Sequence, residues 1–350
     1  MRLGVAAAIV RGELLRGDVE LDEARIAGVG LEGSGTGVAV PGFVDLQVNG
    51  YAGVDLLSEP ERWREVDLML AGIGVTTWQP TLVPAPLDLT LRALEVIELG
   101  VHLEGPFLAL PGAHRPEWFR LPDPGLLQAF LDSGRVSTMT IAPELPGALE
   151  LIGELRAGGA VASLGHSAAD AASAHAAFDA GASTVTHLFN VMRPFGHRDP
   201  GLVGAALARD DVLVQLICDG VHLADETVLL AWRAARGRLA VVSDATAAAG
   251  RNDGSFQLGK IEVEVEGGVA RTADGRLAGS TGSVPQAVRR LVALGVPLAD
   301  AVDAGTRVPA RILGRTDIGV LEPGAPADVV ILDDDLSVTR VFRGGREVLT

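Results

Sequence analysis

Three observations predict an α/β fold, a TIM-type (β/α)8 barrel beside a small β-sandwich made from the two ends of the chain. Apolar, β-branched runs recur eight times with helix-type segments between them. The polar residues of those runs collect at the same end, the C-terminal one. Both ends of the chain read as short strands too small to bury their own faces.

The eight runs are Phe43–Asn49, Val75–Thr81, Gly100–Glu104, Ser137–Pro143, Ala160–His166, Ser183–Asn190, Val212–Asp219 and Leu239–Asp244. The intervals hold a helix and a return loop, and Ala168–Ala180 and Asp225–Arg236 are rich in strong helix formers. Repeated βα units over about 250 residues fit a barrel whose active site lies at the C-terminal strand ends. Residues 42–317 are expected to form it. Residues 1–41 and 318–350 are expected to pack together as the sandwich. The first segment alternates Val, Leu and Gly, with a turn-forming stretch Gly28–Gly37; the second offers strands at Gly319–Leu321, Asp328–Leu332, Arg340–Arg343 and Glu347–Leu349.

Composition narrows the function classes. A chain of 350 residues with 48% hydrophobic content can bury a large core. A net charge of −16 opposes binding to nucleic acid or to an anionic membrane surface, so any anionic ligand needs a local basic pocket. With Cys218 alone no intrachain disulfide can form, and the apolar stretch before Arg11 and Glu13 is too short for a spanning helix. A cytoplasmic location is expected.

The polar residues at the strand ends are Gln47 and Asn49, Glu104, His166, His187 with Asn190, Asp219, and Asp244. A single histidine there is usually a hydrogen-bonded structural residue. Glu104, His166 and His187 at three different strand ends reverse that reading, because two His and one carboxylate with an open fourth position form a common catalytic zinc site. His102 faces the same way as Glu104 and suits either barrel packing or support of the ligands. Asp219 reads as a cap for the next segment, Cys218 as a small buried hydrophobe, and His175 and His197 as solvated side chains.

Eight segments in this order resemble the amidohydrolase superfamily and, within it, the N-acetylglucosamine-6-phosphate deacetylase family. They are Pro41-Gly-Phe-Val-Asp-Leu-Gln-Val-Asn-Gly50, His102-Leu-Glu-Gly-Pro-Phe107, Gly112-Ala-His114, Gly165-His-Ser167, Thr186-His-Leu-Phe-Asn190, Asp219-Gly-Val-His222, Ser243-Asp-Ala245 and Leu321-Glu-Pro-Gly-Ala-Pro-Ala-Asp328. The resemblance implies Glu104, His166 and His187 as metal ligands and Asp244 as the group that takes the proton of water and passes it to the leaving amine. It implies His114 as the residue that polarises the acetyl carbonyl. For substrate it implies Ala113, His114, Asn190, the Val191 backbone, Arg198 and His222, with Arg198 reaching the site of a neighbouring subunit in a homodimer. The implied substrate is a phosphorylated amino sugar, N-acetylglucosamine 6-phosphate, cleaved to glucosamine 6-phosphate and acetate in amino-sugar catabolism.

Many superfamily members bind two metals through a His-x-His pair and a carboxylated lysine. Here the first strand offers Gln47-Val-Asn49, as in a subgroup of the deacetylases, and the chain's one lysine, Lys260, lies beyond the eighth strand. One divalent ion is therefore expected, zinc first and iron or another first-row metal otherwise, with Gln47 and Asn49 supporting the ligands or marking a vestigial second site. The alternatives are a hydrolase of another amide, cyclic or an N-acyl amino acid, and a non-catalytic barrel.

Overall fold

Eight parallel strands form the core of the protein in a computed structural model that describes residues 1–33 and 35–349. In chain order they are β1 (Phe43–Val48), β2 (Val75–Leu82), β3 (Val101–Glu104), β4 (Val136–Ile141), β5 (Val161–Leu164), β6 (Thr184–Val185), β7 (Leu213–Ile217) and β8 (Leu239–Val242). Each corresponds to one predicted run. Their residues are almost all buried, as expected for a parallel sheet covered by helices outside and by its own side chains within. Successive strands pair in order from β1 to β8. The last seam, between β8 and β1, is held instead by Ser243 N–H donating to Asp45 Oδ1 (3.1 Å), Ser243 Oγ–H donating to the Gln47 carbonyl (3.2 Å) and Asn49 N–H donating to the Ala245 carbonyl (2.8 Å).

The barrel's interior is partly hydroxyl-lined. Thr186 Oγ1 lies 2.7 Å from Thr140 Oγ1 and 2.6 Å from Ser163 Oγ, and His102 Nε2 lies 2.7 Å from Thr140 Oγ1. His102 is therefore a packing residue of this floor, two residues below Glu104. The helices outside start at local signals. Asp170 caps Ala171–Ala180 by accepting from Ser173 N–H at 2.8 Å, and Asp123 caps Pro124–Leu131 by accepting from Leu126 N–H at 2.9 Å. Among the described residues no helix is long and apolar enough to cross a membrane.

Strands from both ends share a six-stranded sheet: Ala7–Val10, Glu13–Arg16 and Val38–Pro41 with Val329–Leu332, Val338–Arg343 and Arg346–Glu347. It packs with the hairpin Asp18–Asp22/Arg25–Leu31 around a separate apolar cluster that includes Val19, Ile26, Val329 and Phe342. Two sequence expectations fail here. Gly319–Leu321 is not a strand, because it runs as a bend and loop into the turn that holds Glu322. Gly28 and Gly30 lie within a strand, so the glycine-rich stretch is not all turn. A third sheet, Gly254–Leu258, Ile261–Glu266 and Val269–Thr272, stands over the barrel's C-terminal face and was not foreseen.

Candidate active site

Glu104 ends β3, while His166 and His187 each follow a short strand by two residues. Both histidines have positive φ (49° and 30°), a conformation that costs a non-glycine residue energy and here follows directly on the strand. Gly165 is needed just before His166: a Cβ there would meet Thr140 Cγ2 at 2.9 Å and Thr186 Cβ at 3.1 Å. The result is a buried trio whose ligand atoms converge. His187 Nε2 is 2.8 Å from Glu104 Oε1, His166 Nε2 is 3.2 Å from the same oxygen, and the two Nε2 atoms are 3.2 Å apart.

These separations fit a metal. Tetrahedral bonds of about 2.0–2.1 Å place neighbouring ligand atoms about 3.3 Å apart. The tautomer agrees: His166 Nδ1 lies 2.9 Å from the Leu110 carbonyl, which can only accept, so Nδ1 carries the proton and Nε2 offers a lone pair. Gln47 Nε2 donates to Glu104 Oε1 at 3.0 Å, steadying the carboxylate. Burial alone would push the Glu104 carboxyl up; the facing imidazoles of His114, His166 and His187 outweigh it and hold it well below its usual range. Glu104, His166 and His187 are a group able to hold one metal ion.

A cavity of about 270 Å³ opens over the trio. Asp244 lines it, just past β8, at φ 51°, with Asn49 Nδ2 donating to its Oδ1 at 2.9 Å. Burial first, and then the charge of Glu104, push the Asp244 carboxyl up to about 8. His114 also lines the cavity, stacked on His166 with ring centroids 4.6 Å apart and with Nε2 3.5 Å from Glu104 Oε2. Buried side-chain atoms without a partner concentrate here: Gln47 Oε1, Asn49 Oδ1, both His114 ring nitrogens and His187 Nδ1. Such atoms are what a ligand or water would satisfy.

Ala113, Asn190, Val191, His222 and Asn49 line the same cavity; of the sequence-predicted residues Gln47 stands behind it, bonded to Glu104, and Arg198 lies outside it. Arg198 lies exposed in the loop after β6 and is not among the lining residues. Asp219 caps a turn, as expected, accepting from Val221 and His222 N–H at 2.9 Å each. Its Oδ2 also lies 2.7 Å from His222 Nδ1, which fixes the imidazole beside the cavity. Sequence reasoning missed Arg276, Leu277 and Gly279, which form a wall of the cavity from the segment after the third sheet. Arg276 follows the turn at Ala273 and Asp274, and Leu277 bridges back to Arg271, so no strand-end signal marks them.

A barrel carrying a Glu/His/His metal group under an aspartate at the eighth strand end defines a class. The amidohydrolase family matches residues 38–348, and the chain belongs to that family. It is 39% identical to an N-acetylgalactosamine-6-phosphate deacetylase of Escherichia coli O157:H7, over 87% of this chain and 86% of that one. It is 37% identical to the N-acetylglucosamine-6-phosphate deacetylase of Bos taurus, over 89% and 83%. Its fold is similar to that of a variant N-acetyl-D-glucosamine-6-phosphate deacetylase from Mycobacterium smegmatis in complex with N-acetyl-D-glucosamine-6-phosphate (TM-score 0.95, 37% identity, 100% of this chain and 99% of that one).

Proposed function

We propose that this protein removes the acetyl group from N-acetyl-D-glucosamine 6-phosphate, giving glucosamine 6-phosphate and acetate in amino-sugar catabolism. The observation that carries the reading is the single cavity in which the Glu104/His166/His187 group, Asp244 and His114 meet. A divalent ion in that group, zinc by its ligand chemistry or another first-row metal, would acidify a bound water and polarise the acetyl carbonyl.

The chain's own residues supply the rest. Asp244 takes the proton of the attacking water and delivers it to the amide nitrogen, so that the amine leaves neutral. Asn49 holds one oxygen of that carboxylate and leaves the other to the proton. His114 donates to the carbonyl oxygen as negative charge builds on it, a contribution typically of about 3 kcal/mol. Gln47 keeps Glu104 facing the histidines. Ala113, Asn190, the Val191 backbone and His222 bind the substrate, with His222 held by Asp219. Arg198, outside its own cavity, serves the site of a second copy in a homodimer. The enzyme works in the cytoplasm, with the barrel at 42–317 and the sandwich at 1–41 and 318–350.

A second substrate is favoured by one observation, the 39% identity to a deacetylase named for N-acetylgalactosamine 6-phosphate. Other amides, cyclic or N-acyl amino acids, and a non-catalytic barrel are not favoured. The test is acetate release by the zinc-loaded protein from N-acetylglucosamine 6-phosphate, its C4 epimer and the unphosphorylated sugar. Preference for the first supports the proposal and preference for the epimer moves the substrate. No release from any of them overturns it.

A further inference from the structure

The ligand just proposed is a phosphate monoester, yet its cavity carries the carboxylates of Glu104 and Asp244 in a chain of net charge −16. Arg276 is the one arginine or lysine among the described residues that line it. Arg198, which the resemblance assigns to a neighbouring subunit's site, lies outside, which leaves the chain's own site with a cation that nothing in the reaction so far employs.

Arg276 is also held in place. It closes the turn after the strand Val269–Thr272, where Thr272 N–H donates to the Arg276 carbonyl at 2.9 Å and Gly275 N–H donates to the Thr272 carbonyl at 2.8 Å. Its guanidinium pairs with Asp274 Oδ2 at 2.6 Å through Nη2 and donates to the Gly112 carbonyl through Nη1. The two contacts bridge the third sheet to the loop that carries His114. They use only part of the guanidinium's donor fork, and the side chain remains 44% exposed. Gly112 in turn sits beneath Val191: a Cβ at Gly112 would come within 2.6 Å of Val191 Cγ2. The anchored guanidinium therefore bonds the segment that touches Val191, and it lines the same cavity as Asn190 and His222.

From this geometry we infer that Arg276 is a substrate-binding residue that pairs with the phosphate of the sugar, supplying from within the chain the charge that selects a phosphorylated over a neutral substrate. The inference rests on the reaction proposed above. A planar fork already fixed by two contacts loses little freedom when it meets a phosphate, and planar bidentate donors suit phosphate oxygens.

The test uses the metal-loaded full-length protein and two variants, Arg276→Gln and Arg276→Lys. Calorimetric binding of glucosamine 6-phosphate and of glucosamine is measured beside kcat/KM for N-acetylglucosamine 6-phosphate and the unphosphorylated sugar. In Arg276→Gln the preference for the phosphorylated member of each pair should fall by about tenfold or more, while Arg276→Lys keeps most of it as a point charge. An unchanged preference in Arg276→Gln overturns the inference and leaves the deacetylase reading intact. An equal loss for both members also overturns it, since Arg276 would then act only through the Gly112 segment. A wild-type protein that prefers neither member overturns the proposed substrate and this inference together.

Discussion

Asp244→Asn separates the chemistry of the site from its stability, and the two effects have opposite signs. The amide keeps the oxygen to which Asn49 donates, and Asp244 is not one of the three converging ligands, so bound metal should stay at one equivalent. What is lost is the proton carrier. General acid–base groups contribute about 10²–10⁴-fold, and here one group serves both water and leaving amine, so turnover should fall by about 10³-fold or more, ~4 kcal/mol in the barrier. In the metal-free protein the same change stabilises. The wild-type carboxyl is pushed up to about 8 from an ordinary 3.8, so the unfolded chain ionises first. The stability of the metal-free fold is therefore lost as pH rises from about 4 to about 8, by ~4 kcal/mol at pH 7 at 1.36 kcal/mol per unit. The variant has no such loss. Its metal-free melting temperature should exceed wild type at pH 7 by on the order of 5 °C and converge with it near pH 4. The assays are metal content, acetate release and thermal unfolding after chelation. A metal-replete variant within about tenfold of wild-type turnover would refute Asp244 as the proton carrier.

Other perturbations test the remaining parts. Glu104→Ala and His187→Ala should each lose the bound ion, with metal content after gel filtration falling well below one equivalent; full retention in either removes that residue from the ligand set. His102→Leu removes the side-chain partner of the Leu46 carbonyl and one of the two partners of Thr140 Oγ1, which keeps Thr186, and should cost ~1–3 kcal/mol in urea unfolding. Burial holds His102 down at about 4, so its wild-type stability is lost as pH falls from about 6.5 to about 4, by ~3 kcal/mol; the leucine variant should lack that part of the acid limb. Val191→Gly should raise the melting temperature, because a β-branched residue at φ 52° carries ~1–3 kcal/mol of strain that glycine does not. A lowered value would place the worth of Val191 in its contact with the Gly112 segment instead.

All eight barrel strands were legible because buried parallel strands must be apolar nearly throughout, and only their last residues are free to be polar. That is why Glu104, His166, His187 and Asp244 stood out: each breaks an apolar run at the end where the barrel opens. Arg276 did not, since a charged residue beside a polar turn looks the same whether it faces solvent or a cavity; only the third sheet brings it over the barrel mouth. Gly319–Leu321 misled for a related reason. Three apolar residues fit a strand, but the partners that would make one are not settled by a local pattern. The pairing of Asp219 with His222 was half legible, because an i, i+3 spacing permits both a cap and a side-chain bond and the turn here makes both.

Backbone geometry links these observations. His166, His187, Val191 and Asp244 all have positive φ; the two histidines and Asp244 each follow a short strand by two residues, and Val191 lies in the loop beyond His187. Asp and His tolerate that conformation better than most residues, whereas the β-branched Val191 does not, so there above all the surrounding structure must impose it. The barrel can do so because its strands are locked on both faces, and because close contacts such as Gly165 against Thr140 and Thr186 leave the chain one exit direction. A sequence shows which residues stand at the exits but not the turn that aims them. The convergence of Nε2 and Oε1 atoms to within 3.2 Å is thus a property of the strand ends as much as of the side chains they carry. Ligand identity was accordingly readable in advance, while the facing of Asp244 and His114 over those ligands required the fold.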